Sequence, residues 1–141
     1  MIGIGSAQEA YTFKNPFTLG ERVKMIWLTL RAVGLLDRCI ITGIPDTNNK
    51  HSLWVSVVQH CCPPFNKAYS NDPLTKILFR NFGVPVEGIP FYNRSIYEAT
   101  RIREAIATGK NWEEYVHFEV AKFIKTIKGD IRIRELYKLK N

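Results

Sequence analysis

At 141 residues the chain can build one hydrophobic core but not two. An apolar fraction of 45% with 12% aromatics is that of a folded globular protein, which excludes a disordered chain. A net charge of +7 and a pI near 9.5 favour anionic partners, phosphate above all, yet no basic stripe interleaved with aromatics argues for nucleic acid.

No apolar run reaches the length of a membrane span, and the first residues lack a charged start, apolar stretch and cleavage site. The chain therefore reads as soluble and cytoplasmic. Cys39 and the adjacent Cys61 and Cys62 make a poor disulfide framework. With Pro63 and Pro64 following at once, they also make a poor tetrahedral metal site, so no protein-bound metal is expected.

In chain order, residues 1–5 ("MIGIG") suit the end of a buried strand. After a loop, "TLGE" matches a capping box, with Thr18 as the cap and Glu21 reaching back. The helix it opens carries Val23, Ile26, Trp27, Leu30 and Val33 at helical spacing, and Gly34 ends it. Residues 39–44 ("CIITGI") form a β-branched run of strand length. Leu53, Val55, Val57 and Val58 fit a short helix or strand that Pro63 and Pro64 stop.

"KAYS" is a very short strand ending at Ser70, and "NDP" opens a helix near Pro73 that Gly83 closes. "VPVEGIPFY" must be extended. Helix returns over residues 99–108 with Gly109 as a stop, then over 118–127 before Gly129, and residues 131–140 read as a basic amphipathic tail. Strands alternating with helices predict an α/β domain with a parallel sheet. Ligands of such sheets sit at the carboxyl ends of strands, where "GSAQ", "IPDTNN" and "YSND" all fall.

The ordered set IGSAQ, NPFTLGER, IPD, LW, PPF, YSN and the later Thr-Arg-Ile-Arg closely resembles the archaeal nicotinamide-mononucleotide adenylyltransferases of the nucleotidyltransferase superfamily. The resemblance runs from Ile2 to about Gly129. It implies a Rossmann-like nucleotidyltransferase fold and a reaction that joins ATP to the mononucleotide (NMN), giving NAD and pyrophosphate, usually with Mg2+. It also implies a homo-oligomer, the hexamer being the form taken by relatives.

By the same resemblance Gly5, Ser6, Ala7 and Gln8 lie along the nucleotide cleft, and Asp46 shapes the pocket in which Trp54 stacks on the nicotinamide ring. Tyr69, Ser70 and Asn71 complete the cleft. Lys14 stands where relatives often carry a phosphate-meeting arginine. Thr100 and Arg103 belong to a helix start that receives the ATP phosphates. Read alone, Trp54 is an ordinary core residue, Asp46 a turn residue and Arg22 a structural ion-pair partner.

Three departures from the family pattern weigh against full activity. The superfamily's His-x-Gly-His is absent from these 141 residues, and His51, His60 and His117 are in no such context. Glu98 replaces the serine of the phosphate-binding helix start, setting a carboxylate where phosphate belongs. Ala10 and Tyr11 replace a Ser-His pair. The resemblance thus implies a single domain, residues 1–141, without the family's first strand and helix. Its activity is doubtful, and the alternative is a degenerate nucleotide-binding or assembly paralogue.

Overall fold

The structure, a computed structural model, describes residues 1–140. It alternates strands and helices over the first half and is helical thereafter. β1 (Ile2–Ile4), α1 (Leu19–Ala32), β2 (Ile41–Gly43) and α2 (Trp54–Cys61) come first. β3 (Ala68–Tyr69), α3 (Pro73–Asn81) and β4 (Val86–Glu87) follow, then α4 (Arg94–Tyr97), α5 (Ala99–Ala107), α6 (Phe118–Thr126) and α7 (Gly129–Lys140).

The capping box forms as the sequence predicts. The Glu21 amide donates to Thr18 Oγ1 at 3.2 Å, and the Thr18 amide donates to Glu21 Oε2 at 2.9 Å. Asp72 caps α3 by accepting from the Thr75 amide at 2.7 Å, with Pro73 in the first turn where its missing N–H costs nothing. Gly34, Gly83 and Gly109 each take positive φ just past a helix. Leu35, Val84 and Lys110 then donate back to Leu30, Phe79 and Ala105, so all three ends are Schellman motifs.

Gly129 departs from expectation. The left-handed break between α6 and α7 falls on Lys128 (φ 55), and Gly129 begins α7 instead of stopping a helix. Glycine is needed there for closeness, because a Cβ would lie 2.7 Å from the Phe17 ring and 3.2 Å from the Ile124 carbonyl. The basic tail is likewise more than a tail, since Ile133 within it is fully buried. The short helix α4 is additional, falling between the stretch expected to be extended, which ends at Tyr92, and the helix expected from residue 99.

The strands are parallel, as expected, but they form two separate pairs. β1 lies beside β2 in the register Ile2–Ile41 to Ile4–Gly43, and β3 lies beside β4 with Ala68 opposite Val86. The apolar core also has two clusters, but they do not follow the strand pairs. Ile106, Trp112, Val120, Ala121, Ile124 and Ile133 form one cluster, backed by Phe13 and Phe17. Ile44, Val55, Val58 and Phe79 form the other, drawn from the end of β2, from α2 and from α3. Val33, at the end of the predicted α1 stripe, is exposed, while Leu28 and Leu30 carry that helix's burial. No helix among the described residues is long and apolar enough to cross a membrane.

Candidate functional site

The loop after β1 is built around one guanidinium. Arg22, one turn into α1, donates to the carbonyls of Gly5, Ser6, Ala7 and Glu9 at 2.9, 2.9, 3.3 and 3.2 Å. Four acceptors converging on one planar donor fix the path of loop 5–9, including Ser6 at a φ of 49°. Arg22 is therefore a loop clamp acting on main-chain oxygens, where the sequence pointed to a carboxylate partner.

The clamped loop is stitched to the loop after β2. The Ala7 amide donates to the Ile44 carbonyl at 3.1 Å. Gln8 then turns its amide onto Asp46, accepting from the Asp46 N–H at 2.9 Å and donating to its carbonyl at 3.5 Å. Beyond Asp46 the chain runs through two successive left-handed residues, Asn48 and Asn49, a conformation that asparagine tolerates better than most.

These loops open onto a cavity of about 480 Å³ lined by Gly5, Asp46, Asn49, His51, Trp54 and Asp72 among others. Trp54 starts α2 and is half-buried, its ring set edge-on against Phe79 at 5.5 Å between centroids. A second cavity, also about 480 Å³, shares Gly5 and Trp54 and reaches Tyr69 and Ser70 at the end of β3. Asn71 spends its side chain on the chain after β4, donating to the Ile89 carbonyl at 2.7 Å and accepting from its amide at 2.9 Å.

Of the residues singled out in the sequence, Gly5, Asp46, Trp54, Tyr69 and Ser70 thus come together around two adjoining cavities. Ser6, Ala7 and Gln8 shape the wall, and Asn71 pins a neighbouring loop. Thr100, Arg103 and Lys14 line neither cavity. Lys14 is exposed. Arg103 donates to Thr100 Oγ1 at 3.1 Å, lies 5.9 Å from the centre of the Phe13 ring, and keeps a buried Nε without a hydrogen-bond partner. Burial pushes its guanidinium below the ordinary arginine range. Glu98, at the start of α5, faces Arg94 at 3.7 Å and Arg101 at 3.6 Å. Tyr11 is exposed, and the Arg132 guanidinium lies 4.9 Å from the centre of its ring.

One structural residue escaped the sequence reading. Arg132 gives no local signal, because its partner Glu21 lies 111 residues away. Among the described residues no group of three or more His, Cys, Asp or Glu side chains is gathered so as to hold a metal ion.

No family model matches the chain. Whole-chain similarity is nevertheless extensive. The nicotinamide-nucleotide adenylyltransferase of Archaeoglobus fulgidus is 41% identical over 140 residues, covering 96% of this chain and 80% of the relative. That of Methanothrix thermoacetophila is 41% identical over 138 residues, with 98% and 79% covered. That of Thermoplasma volcanium is 43% identical over 136 residues, with 96% and 75% covered. The stitched strand-end loops and the tryptophan beside them are thus carried on a sequence continuous with these enzymes, and the chain belongs to the nicotinamide-nucleotide adenylyltransferase family.

Proposed function

We propose that the cavity between the loops after β1 and β2 binds nicotinamide mononucleotide, with the Trp54 ring as the platform for the nicotinamide. The observation that carries this reading is the position of Trp54. It stands half-buried at the wall of a cavity that Asp46 and Asp72 also line, its ring set edge-on against Phe79. A flat cationic ring suits both the aromatic side chain and the carboxylates, and a desolvated cation–π contact contributes about 2 kcal/mol. Gln8 supports the pocket by locking the Asp46 loop to the Gly5 loop.

ATP is the second substrate in this reading. The start of α5, with Thr100 and Arg103, would receive its phosphates through free amides and positive charge, and Lys14 would add charge from the loop before α1. Transfer at phosphorus is catalysed by positioning and charge neutralisation, so these residues would act by holding the triphosphate. Among the described residues no cluster of three or more His, Cys, Asp or Glu side chains fits a resident metal. Magnesium enters this reading only as a companion of the triphosphate.

Glu98 favours a second reading for turnover. Its carboxylate sits at the helix start where phosphate would lie, beside the exposed Arg94 and Arg101. The chain then binds mononucleotide while transferring adenylate slowly, as a nucleotide-binding or assembly paralogue. Self-association is supported by the exposed Phe91, Tyr92 and Tyr97 around α4.

Calorimetric titration tests the binding reading. NMN should bind the wild-type chain, and Trp54→Ala should weaken it about 30-fold, the loss of roughly 2 kcal/mol. Unchanged affinity in Trp54→Ala removes the platform role. NAD formation from ATP and NMN, measured beside it, separates the enzyme from the paralogue.

A further inference from the structure

The loop between β1 and α1 is held in two halves by two different arginines. Arg22 gathers the carbonyls of residues 5–9, beside the mononucleotide cavity. The second half turns on Thr12 and Asn15. The Thr12 amide donates to the Asn15 carbonyl at 3.2 Å, and the Asn15 amide donates to Thr12 Oγ1 at 3.0 Å. Tyr11, just before that turn, is exposed yet takes a left-handed φ of 56°. Backbone strain of that kind persists only where surrounding contacts over-determine it.

Those contacts come from α7. Arg132 Nη1 donates to the Pro16 carbonyl, 116 residues away, at 3.2 Å. The same guanidinium lies 4.9 Å from the centre of the Tyr11 ring and 6.0 Å from that of Phe17. A two-pronged bond to Glu21 fixes its plane. Farther along α7 the Tyr137 ring stands 5.2 Å from the Phe13 ring, and the Arg103 guanidinium lies 5.9 Å from the centre of that same ring. One helix thus meets segment 11–17 at Tyr11, Phe13, Pro16 and Phe17, and the segment in turn meets Arg103 in α5.

We propose that Arg132 is a positioning residue for the triphosphate half of the site, holding segment 11–17 so that the charge of Lys14 is fixed relative to Arg103. The inference rests on the reading above in which Lys14 and Arg103 receive the phosphates of ATP. Lys14 is exposed, and its ammonium is a point charge on a flexible stem, so its effect on a phosphate depends on how firmly its backbone is placed. A lysine in place of Arg132 keeps the charge but cannot serve both Glu21 oxygens, the Pro16 carbonyl and the Tyr11 face at once. The mononucleotide loop has its own clamp in Arg22, so loss of Arg132 is felt by ATP and not by NMN.

Hydrogen exchange and calorimetry on the intact 141-residue chain test the assignment. In Arg132→Ala the Thr12 and Asn15 amides should exchange at least tenfold faster, and ATP should bind at least tenfold more weakly, with NMN affinity unchanged. Arg132→Lys should recover part of the ATP affinity. Tyr11→Ser removes an exposed ring and leaves Glu21 paired, so it decides the question even if Arg132→Ala does not fold. It should speed the same two amides and weaken ATP about threefold, the size of an exposed cation–π contact, while Tyr11→Phe binds as wild type does. Gly34→Ala lowers stability at the far end of α1 and should alter neither affinity nor those amides.

Wild-type ATP affinity in Arg132→Ala or Tyr11→Ser, unchanged exchange at Thr12 and Asn15, or a parallel loss for NMN overturns the positioning role. Failure at the earlier step looks different. If ATP does not bind the wild type, or binds Lys14→Ala as tightly, the phosphate reading falls and takes the proposal with it.

Discussion

Glu21 and Arg132 meet in a two-pronged ion pair that ties the first turn of α1 to α7. Arg132 Nη1 donates to Glu21 Oε2 at 2.7 Å and Nη2 to Oε1 at 2.9 Å, and each side chain is less than one-fifth exposed. The same Oε2 accepts from the Thr18 amide, so one carboxylate serves both a helix cap and a long-range contact. Charge-assisted, bidentate bonds of this kind contribute about 2 kcal/mol. Glu21→Gln and Arg132→Ala should each lower urea-unfolding stability by about that amount, and the double variant by clearly less than the sum.

The pair also sets a pH dependence. The Arg132 guanidinium holds the Glu21 carboxyl below its ordinary value of 4.5. A carboxyl lowered in the folded state contributes stability that is complete above its unfolded value. That contribution is lost as pH falls through the folded value. The difference in stability between wild type and Glu21→Gln should therefore be constant from pH 7 to about 5 and shrink below 4.5. A difference that grows on acidification contradicts the assignment.

Arg22 should matter more to ligand than to fold. Arg22→Ala removes the donor for four carbonyls, and Arg22→Lys restores a charge without the planar fork. Both should weaken NMN binding at least tenfold, alanine the more severely, as read by calorimetry. Gln8→Ala, which cuts only the exposed stitch to Asp46, should cost about 1 kcal/mol of binding, near fivefold, with the melting temperature unchanged.

The fold was legible in the sequence where the signals were local. Thr18 with Glu21, Asp72 with Pro73, and the glycines at 34, 83 and 109 each declare a helix end within five residues of chain, and each forms. Gly129 misled because its glycine answers a tertiary demand, the nearness of Phe17, that no neighbouring residue records. The tail was misjudged for the same reason, its burial resting on α5 and α6 through Ile133. At the site, residue types at strand ends marked the loops after β1, β2 and β3. The clamp by Arg22 and the pinning of Ile89 by Asn71 depend on side-chain directions that spacing does not encode.

The two kinds of glycine separate experimentally. Gly34→Ala places a Cβ in open space but at a φ of 71°, costing about 1 kcal/mol through backbone strain alone. Gly129→Ala has an ordinary helical backbone but drives a methyl group into the Phe17 ring and the Ile124 carbonyl. Overpacking of that sort costs about 1–3 kcal/mol. Phe17→Ala should partly rescue Gly129→Ala and do nothing for Gly34→Ala, as chemical denaturation of the four variants will show.

Glu98 tests how the start of α5 treats phosphate. The residue occupies the N-cap position yet makes no capping hydrogen bond, and its arginine neighbours are more than half exposed. Exposed pairs of that kind contribute little, and serine is a better cap, so Glu98→Ser should leave stability within about 1 kcal/mol of wild type. Removing a carboxylate from a helix start that is to hold phosphate should tighten ATP binding about fivefold, or roughly 1 kcal/mol. NAD formation should stay where it was. Transfer at phosphorus requires several charge partners at once, so one substitution at the helix start should not by itself raise it. A Glu98→Ser chain that binds ATP no better places the phosphates elsewhere, and one whose NAD formation rises along with its ATP affinity makes Glu98 the limiting group.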